Sequence, residues 1–217
     1  EHHGDLDAAR GLWDYDMSAF HHVSVLPEET IDALAIRSDG IYVDCTLGGA
    51  GHAGRIAAQL SAKGRLIGID QDELAIAAAR ERLADAQCKV TLVRDNFRHL
   101  RDILAAEGIS SVDGILFDLG ISSPQIDTAE RGFSYMQDAP LDMRMDRRAA
   151  RSAYTVVNEY SAARLTELFY DYGEERWAKR IAAFIEAARK ERPIETTGEL
   201  VEIIDRAVPK KVRAKGG

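Results

Sequence analysis

A glycine-rich turn early in the sequence combines several residues that can bind a nucleotide-like cofactor. Gly49-Ala50-Gly51-His52-Ala53-Gly54 follows an apolar run ending in Asp44, and Asp70 lies 21 residues after Gly49. Glycines let the backbone approach a ligand, a helix N-terminus behind them offers unpaired N–H groups, and an acid ending the next strand accepts ribose hydroxyls. The spacing predicts an adenosine-binding turn. By itself it fits an NAD enzyme, an S-adenosylmethionine enzyme or a plain strand-to-helix turn.

The polar residues around this turn favour S-adenosylmethionine as the cofactor. A carboxylate at Asp44 can hold the ammonium of a methionine moiety, directly or through water, whereas it would repel a pyrophosphate. Asp95-Asn96-Phe97 offers an acid for an adenine amino group and an aromatic face for stacking. Phe97 alone would more often be a core residue. Its place after the third strand favours ligand contact, because open α/β sheets bind ligands at the carboxyl ends of their strands.

The elements that must position these residues alternate between helix and strand, which predicts an α/β fold with a doubly wound parallel sheet. The predicted strands cover residues 41–45, 66–70, 90–93 and 112–118, and the predicted helices 28–36, 51–63, 72–85 and 97–106. We expect the strand order 3-2-1-4. In the helix over 72–85, Leu74, Ala78 and Leu83 are expected to share the buried face.

The pattern changes after Asp118. Residues 119–152 show little periodicity and predict long loops, which are usually functional or disordered. Helices are predicted over 162–172, over 174–191, and from a capping box at Thr196 and Glu199 to a point before Pro209. Because the fourth strand would then be an open apolar edge, we expect the chain to be incomplete at its C-terminus and broken near residues 215–217.

Composition and charge restrict the class of protein. With 217 residues, 46% of them apolar, the chain can form one α/β domain, or a core plus a smaller unit. Its apolar runs are too short to cross a bilayer, and the absence of a secretory signal pattern predicts a cytoplasmic protein. Cys45 and Cys88 lack the spacing of metal ligands, so we expect no metal site and two buried, reduced thiols.

The net charge of -8 argues against nucleic-acid binding, but the charge is unevenly distributed. Residues 1–30 carry seven acids and one base, whereas the chain from Arg144 onward carries sixteen bases and twelve acids, a balance of +4. This half could face a polyanion, or its charges could simply be solvated on helices.

Several motifs together closely resemble one enzyme family. They are the turn over residues 44–52, the stretch over 22–29, Asp118-Leu119-Gly120-Ile121-Ser122-Ser123-Pro124-Gln125-Ile126-Asp127, and the segments 131–135 and 138–146. They are similar to the MraW (RsmH) family, which uses S-adenosylmethionine to methylate N4 of a cytidine in the decoding centre of bacterial small-subunit ribosomal RNA. The resemblance covers about residues 22–217. It implies a Rossmann-like class I methyltransferase sheet with an inserted helical substrate-binding unit.

The resemblance also implies the site residues. The family's cofactor contacts fall on Ala50, Gly51 and His52 for the methionine end, Asp70 for the ribose, Phe97 for the adenine, and Asp118 and Gln125 around the methyl donor. An acceptor for N4–H would favour a geometry in which the amine lone pair is available. Asp118 is the candidate for this catalytic role, and the backbone carbonyls of residues 119–124 are the other candidates. Whether Asp118 has this role or only anchors cofactor and loop stays open at this point.

The implied organisation has three parts: an extension or tag remnant over 1–21, a cofactor-binding core over 22–125, and a helical RNA-binding unit over 126–217. The expected partner is small-subunit ribosomal RNA within the 30S particle, with no prediction of oligomeric state. Phe133 and Tyr135 could stack on an extruded base or pack on the helical unit. The clustered arginines Arg144, Arg147, Arg148 and Arg151 are predicted to contact RNA phosphates.

Three alternatives are open on sequence alone. The first is methylation of another RNA site or of a small molecule. The second is an NAD-dependent oxidoreductase, against which Asp44 and the absence of a catalytic domain argue. The third is a non-catalytic RNA-binding module with an inert nucleotide pocket.

Overall fold

The computed structural model describes residues 27–209, except the side chains of residues 27, 123 and 124. The predicted extension over 1–21 and most of the motif over 22–29 therefore lie outside the described residues. No helix between residues 27 and 209 is long and apolar enough to cross a membrane.

The core of the described chain is a parallel four-stranded sheet with the order β3-β2-β1-β4, as predicted. Its strands are β1 (Ile41–Asp44), β2 (Arg65–Asp70), β3 (Lys89–Arg94) and β4 (Gly114–Leu116). The accompanying helices are α1 (Pro27–Ala33), α2 (Gly51–Gln59), α3 (Glu73–Arg82) and α4 (Leu100–Ala106). The predicted strand over 112–118 was too long, since only residues 114–116 pair with β1.

Helices cover both faces of this sheet because its strands are apolar on both sides. Tyr42 and Leu66 pack against one cluster of residues that includes Ile56 of α2 and Ala79 of α3. The next residue along each strand points to the opposite cluster, where Val43 and Ile67 meet Ile103 of α4. Helices on both faces of a parallel sheet confirm the predicted doubly wound α/β class.

The buried face of α3 differs from the prediction. Leu74 is 49% exposed, whereas Ala75, Ile76 and Ala79 are buried together with Leu83 just beyond the helix. The predicted set of Leu74, Ala78 and Leu83 was therefore wrong except at its last member. Small alanines on the inner face let α3 lie close to the sheet.

A second apolar core lies in the C-terminal part of the described chain. It belongs to the helices α6 (Ala153–Glu159), α7 (Ala162–Asp171), α8 (Ala178–Glu191) and α9 (Thr197–Ala207). Leu165, Ile181, Ile185 and Ile203 are buried among them. The predicted capping box of α9 is present.

Three details of this part were not predicted correctly. Helix α6 was missed, and a short helix, α5 (Ser123–Asp127), lies in the segment predicted as loop. Helix α8 begins at Ala178 and not at residue 174, because Glu174 has a positive φ of 49° that is incompatible with a regular helix.

The segment between the two cores is tied to α9. Ala139 N–H donates to Thr197 Oγ1 at 3.0 Å, and Gly198 N–H donates to Asp138 Oδ1 at 2.8 Å. Pro140 and Thr196 form an isolated antiparallel bridge. The motif over 138–146 is thus a structured loop.

Candidate active site

A cleft of about 530 Å³ opens at the carboxyl ends of the four strands. It lies between β1 and β4, where the order in which strands are added to the sheet reverses, the usual ligand position in open α/β sheets. Six of the seven predicted cofactor residues line it, namely Gly51, His52, Asp70, Phe97, Asp118 and Gln125. Ala50 does not.

Ala50 has a different position from its neighbours in the glycine turn. It is fully buried, precedes α2, and adopts a left-handed conformation with φ 57°. Gly48 is also left-handed, with φ 48°. This sharp turn directs the start of α2 toward the cleft, and Ala50 contributes to its shape through the backbone. Arg82, which was not predicted, donates to the Gly49 carbonyl at 2.7 Å and holds the turn from α3.

The Asp70 carboxylate joins the ends of β1 and β2. It accepts hydrogen bonds from Gly48 N–H at 2.9 Å and from Asp72 N–H at 2.8 Å. Burial raises its pKa above the ordinary value, while these backbone donors act in the opposite direction. An ionised carboxylate has about four acceptor sites, so Asp70 keeps acceptor capacity for the hydroxyls of a ribose.

Asp44 lies beneath the cleft and not on its wall, since the lining begins at Cys45. Its side chain is fully buried, and Oδ1 accepts from Thr46 N–H at 3.1 Å. Oδ2 has no hydrogen-bond partner among the described residues. Burial, together with the carboxylates of Asp70 and Asp118, raises the pKa of Asp44 to about 7, and the backbone N–H groups of Thr46 and Ala53 act in the opposite direction.

The residues around Asp118 hold the end of β4 against the turn. Asp118 N–H donates to Thr46 Oγ1 at 2.6 Å, and its Oδ2 lies 3.6 Å from Nε2 of the buried His52. The Asp118 side chain is 40% exposed and lines the cleft. Asp44, Asp70 and Asp118 together give this end of the cleft an anionic character. Within the described part of the chain, no cluster of His, Cys, Asp or Glu has a metal-binding arrangement.

The other end of the cleft is aromatic. Phe97 lies edge-to-face against Phe117, with ring centroids 5.4 Å apart and an interplanar angle of 83°. Asp95 Oδ1 accepts from Asn96 N–H at 2.7 Å and lies 2.9 Å from His99 Nδ1. The hydrogen bond from His99 lowers the pKa of Asp95. Phe117 and His99, which were not predicted, contact Phe97 and Asp95 from outside the lining of the cleft.

Gln125 closes the cleft from the segment after β4. Its Oε1 accepts from Ser122 N–H at 3.0 Å, and its Nε2 donates to Asp72 Oδ2 at 3.1 Å. The same carboxylate oxygen accepts from Arg131 at 2.8 Å. Asp72 and Arg131 were not predicted as site residues. Their separation of 59 positions leaves no local pattern to reveal the pair.

The predicted arginine cluster divides into two kinds of residue. Arg144 is bound to the carboxylate of Asp142, and Arg148 to that of Asp146. For Arg147 and Arg151, by contrast, no ion pair is found within residues 27–209.

The two candidate stacking residues also differ. Phe133 lies under the Arg131 guanidinium, 5.7 Å from ring centroid to Cζ, and is therefore part of the packing. Tyr135 is 75% exposed and is available for contact with another molecule.

A family model described as the MraW methylase family matches residues 19–217. The chain belongs to this family. The match includes both the strands that form the cleft and the helices that follow it.

Three relatives of this MraW family member share the same name. Proteins called "Ribosomal RNA small subunit methyltransferase H" from Clostridioides difficile and Brevibacillus brevis are each 56% identical, over 197 and 198 residues. One from Symbiobacterium thermophilum is 55% identical over 199 residues. These alignments cover 91–92% of this chain, and the chain spans 63% of the length of each relative.

A crystal structure titled as a putative rRNA methylase from Clostridium thermocellum overlaps with a TM-score of 0.41 at 22% identity. The overlap covers 47% of this chain and 55% of that one, too little to bear on function.

Proposed function

We propose that the protein binds S-adenosylmethionine in the cleft and transfers its methyl group to N4 of a cytidine in the decoding region of small-subunit ribosomal RNA. The observation that carries this proposal is the joining of an anionic end and an aromatic end in one cleft, in a member of the MraW family. The names of the curated relatives support the RNA substrate. The same proposal places the protein in the cytoplasm, with the 30S particle as its partner.

The residues present fit this cofactor better than a dinucleotide. S-Adenosylmethionine carries a sulfonium and an ammonium, and three carboxylates, Asp44, Asp70 and Asp118, lie at or below one end of the cleft. A pyrophosphate would meet unfavourable charge at the same place. The buried Oδ2 of Asp44 has no hydrogen-bond partner among the described residues, which is consistent with a negative charge placed below a cationic ligand.

Each part of the cleft then has a separate role in binding. Asp70 would accept hydrogen bonds from the ribose hydroxyls, and Phe97 would contact the adenine face. Asp95, whose pKa is lowered by His99, would accept from the adenine amino group. Backbone N–H groups at the start of α2 and the His52 side chain would lie by the methionine end.

The bound cofactor supplies an electrophilic methyl group, and the protein supplies alignment. Asp118 is exposed toward the cleft at the end of β4 and would accept a hydrogen bond from N4–H of the cytosine. This contact orients the amine lone pair toward the methyl group and provides an acceptor for the proton that N4 loses on transfer. Asp118 N–H is fixed to Thr46, so its backbone position relative to the turn is defined.

The helical unit and its preceding loop would hold the RNA. Reaching N4 requires an unpaired or extruded base, for which the exposed ring of Tyr135 is the better placed of the two candidate stacking residues. Arg147 and Arg151 are exposed and have no intramolecular ion pair among the described residues, so they are the arginines of the cluster available to phosphates.

The test is methyl transfer from tritiated S-adenosylmethionine to 30S particles isolated from a strain that lacks this modification. We expect label in small-subunit RNA only, recovered as N4-methylcytidine after nuclease digestion and mass spectrometry. Particles that already carry the modification are the control and should accept none. Label in another nucleotide, or in a small molecule from a substrate panel, would replace the proposed substrate. Quenching of reduced-nicotinamide fluorescence on titration would instead favour the oxidoreductase.

A further inference from the structure

Asp72 forms a buried hub between the cofactor core and the segment that follows β4. Its Oδ1 accepts from Leu74 N–H at 3.1 Å and so caps α3. Its Oδ2 accepts from Gln125 Nε2 at 3.1 Å and from Arg131 at 2.8 Å. All three polar side chains are buried, and Arg131 is only 2% exposed.

Three of the contacts of Asp72 lead to residues that line the cleft. Asp72 N–H donates to Asp70 Oδ1, on the carboxylate placed to meet the ribose. Gln125 uses its other end to accept from Ser122 N–H, which fixes the loop between Asp118 and α5. The second guanidinium nitrogen of Arg131 donates to the carbonyl of Met145 at 3.3 Å. Asp70, Ser122 and Met145 all line the cleft.

A buried ion pair is a poor source of stability, because desolvation offsets most of its Coulomb attraction and an apolar pair of similar size serves equally well. Its directed hydrogen bonds do something that apolar packing cannot. Through Gln125 and Arg131 they fix two separate chain segments, at residues 122 and 145, relative to one carboxylate, whose own backbone N–H is bound to Asp70.

From this geometry we infer that Asp72 is a positioning residue for the methyltransferase. It holds the loop over 119–122 and the Met145 loop in register with the ribose acceptor Asp70. The inference rests on the proposed function for the identity of the cofactor, but the positioning itself concerns only residues of this chain. The Asp72 carboxylate acts through Gln125 and Arg131, whereas the hydrogen bond to Asp70 comes from the backbone N–H and is independent of the side chain.

The test variant is Asp72→Asn. Its single oxygen can keep the cap on Leu74, so α3 should still form. The amide nitrogen then takes the place of Oδ2 and faces two donors, Gln125 and Arg131. If the Gln125 side-chain amide flips, its Oε1 can accept from this new nitrogen, but the Ser122 N–H then loses its acceptor. Either outcome releases the loop.

We expect two measurable effects in the 217-residue chain. Amide hydrogen exchange at Ser122 should accelerate by about tenfold or more, and calorimetry with S-adenosylmethionine should show roughly tenfold weaker binding, as for loss of one buried hydrogen bond. Glu73→Gln is the matched control. It changes the neighbouring carboxylate, which is exposed and pairs with Arg94 at the surface, and should alter neither quantity.

A second variant separates positioning from general destabilisation. Asp72→Asn should lower the melting temperature because it leaves the buried Arg131 charge unpaired. Adding Arg131→Met removes that charge together with its hydrogen bonds to the Arg144 and Met145 carbonyls, so the melting temperature should recover in part. Fast exchange at Ser122 and weak cofactor binding should persist, since the hydrogen bonds are still missing. Recovery of all three quantities together would overturn the inference, as would unchanged exchange at Ser122 in Asp72→Asn.

Failure of the proposed function gives a different result. If the wild-type chain does not bind S-adenosylmethionine, the cofactor assignment fails, whereas hydrogen exchange at Ser122 without cofactor still decides whether Asp72 holds the loop.

Discussion

Replacing Asp44 with asparagine is expected to stabilise the cofactor-free protein at pH 8 and to weaken cofactor binding. The side chain is fully buried, and one of its oxygens has no hydrogen-bond partner among the described residues. Burial, with a smaller effect from the nearby Asp70 and Asp118 carboxylates, raises the pKa of Asp44 to about 7. A site optimised for folding alone would not retain such a group.

The sign and size of the stability effect follow from proton linkage. In the unfolded chain the Asp44 carboxyl loses its proton near its ordinary pKa of 3.8, whereas in the folded protein it does so near 7. The native state therefore holds the extra proton between these values. The associated stability is complete below about pH 4 and is lost as the pH rises through about 7, a total of about 4 kcal/mol at 1.36 kcal/mol per pH unit.

Asparagine avoids this loss but leaves a buried N–H group without a partner, which costs about 1–3 kcal/mol. The net gain for Asp44→Asn at pH 8 should therefore be about 1–3 kcal/mol. Cofactor binding should change in the opposite direction, because the variant removes a negative charge below the site proposed for the sulfonium and ammonium.

Urea denaturation at pH 5 and pH 8, with calorimetry of S-adenosylmethionine binding at pH 8, measures both effects. The wild type should be less stable at pH 8 than at pH 5 because the buried Asp44 carboxyl ionises between these values. Asp44→Asn should lack that part of the pH dependence. Asp32→Asn, on the exposed side of α1, is the control and should resemble the wild type. If Asp44→Asn is less stable at pH 8 and binds the cofactor normally, the reasoning is refuted.

Other substitutions test the remaining parts of the site. Asp70→Ala should weaken S-adenosylmethionine binding roughly 10- to 150-fold in calorimetry while RNA affinity hardly changes; wild-type cofactor affinity would contradict the assigned ribose site. Asp118→Ala should lower the single-turnover methylation rate at saturating cofactor far more than it lowers cofactor affinity, and equal losses would make it only an anchor. Arg147→Gln with Arg151→Gln should reduce the log–log salt slope of RNA binding by about one to two, whereas Arg144→Gln should have a smaller effect.

The sheet could be predicted from sequence because parallel strands buried on both faces are short apolar runs bounded by turns. The same property explains the error at β4. Residues 112–118 are mostly apolar, with aspartates at 113 and 118. Strand pairing also requires a neighbouring strand, and β4 pairs with β1 only over residues 114–116. In the described residues β4 is an edge strand, and Ile115 and Phe117 are partly exposed there.

Helix α3 shows a different limit of periodicity. Its sequence, Glu-Leu-Ala-Ile-Ala-Ala-Ala-Arg-Glu-Arg, has apolar residues around much of its circumference. The prediction put Leu74 on the apolar face, but the structure buries the face that contains Ala75, Ile76 and Ala79. Close contact between a helix and a sheet favours small side chains, and a size-weighted pattern does not capture this.

The glycine turn and the acids that end β1, β2 and β4 could be placed from sequence, because parallel topology brings strand ends to one edge. The hub at Asp72 could not. Its partners Gln125 and Arg131 lie 53 and 59 residues away in a segment without periodicity, so no local signal links them. Only the folded chain shows that Gln125, expected from the family resemblance to lie near the donor, also supports the loop beside it.

The arginine cluster was predicted to bind phosphates because four arginines lie close together in the sequence. The structure shows that only two of the four lack an ion pair among the described residues. Asp142 and Asp146 each precede an arginine by two positions and bind it directly, so two of the four positive charges are neutralised within the loop. The Asp-x-Arg spacing was visible in the sequence and predicts local pairing as readily as a phosphate site. The paired arginines order the loop beside Met145 and the cleft, and Arg147 and Arg151 keep their charge for a polyanion. An acidic protein can bind RNA in this way, because affinity for phosphates depends on the few Lys and Arg side chains that are not already paired with a carboxylate of the same protein.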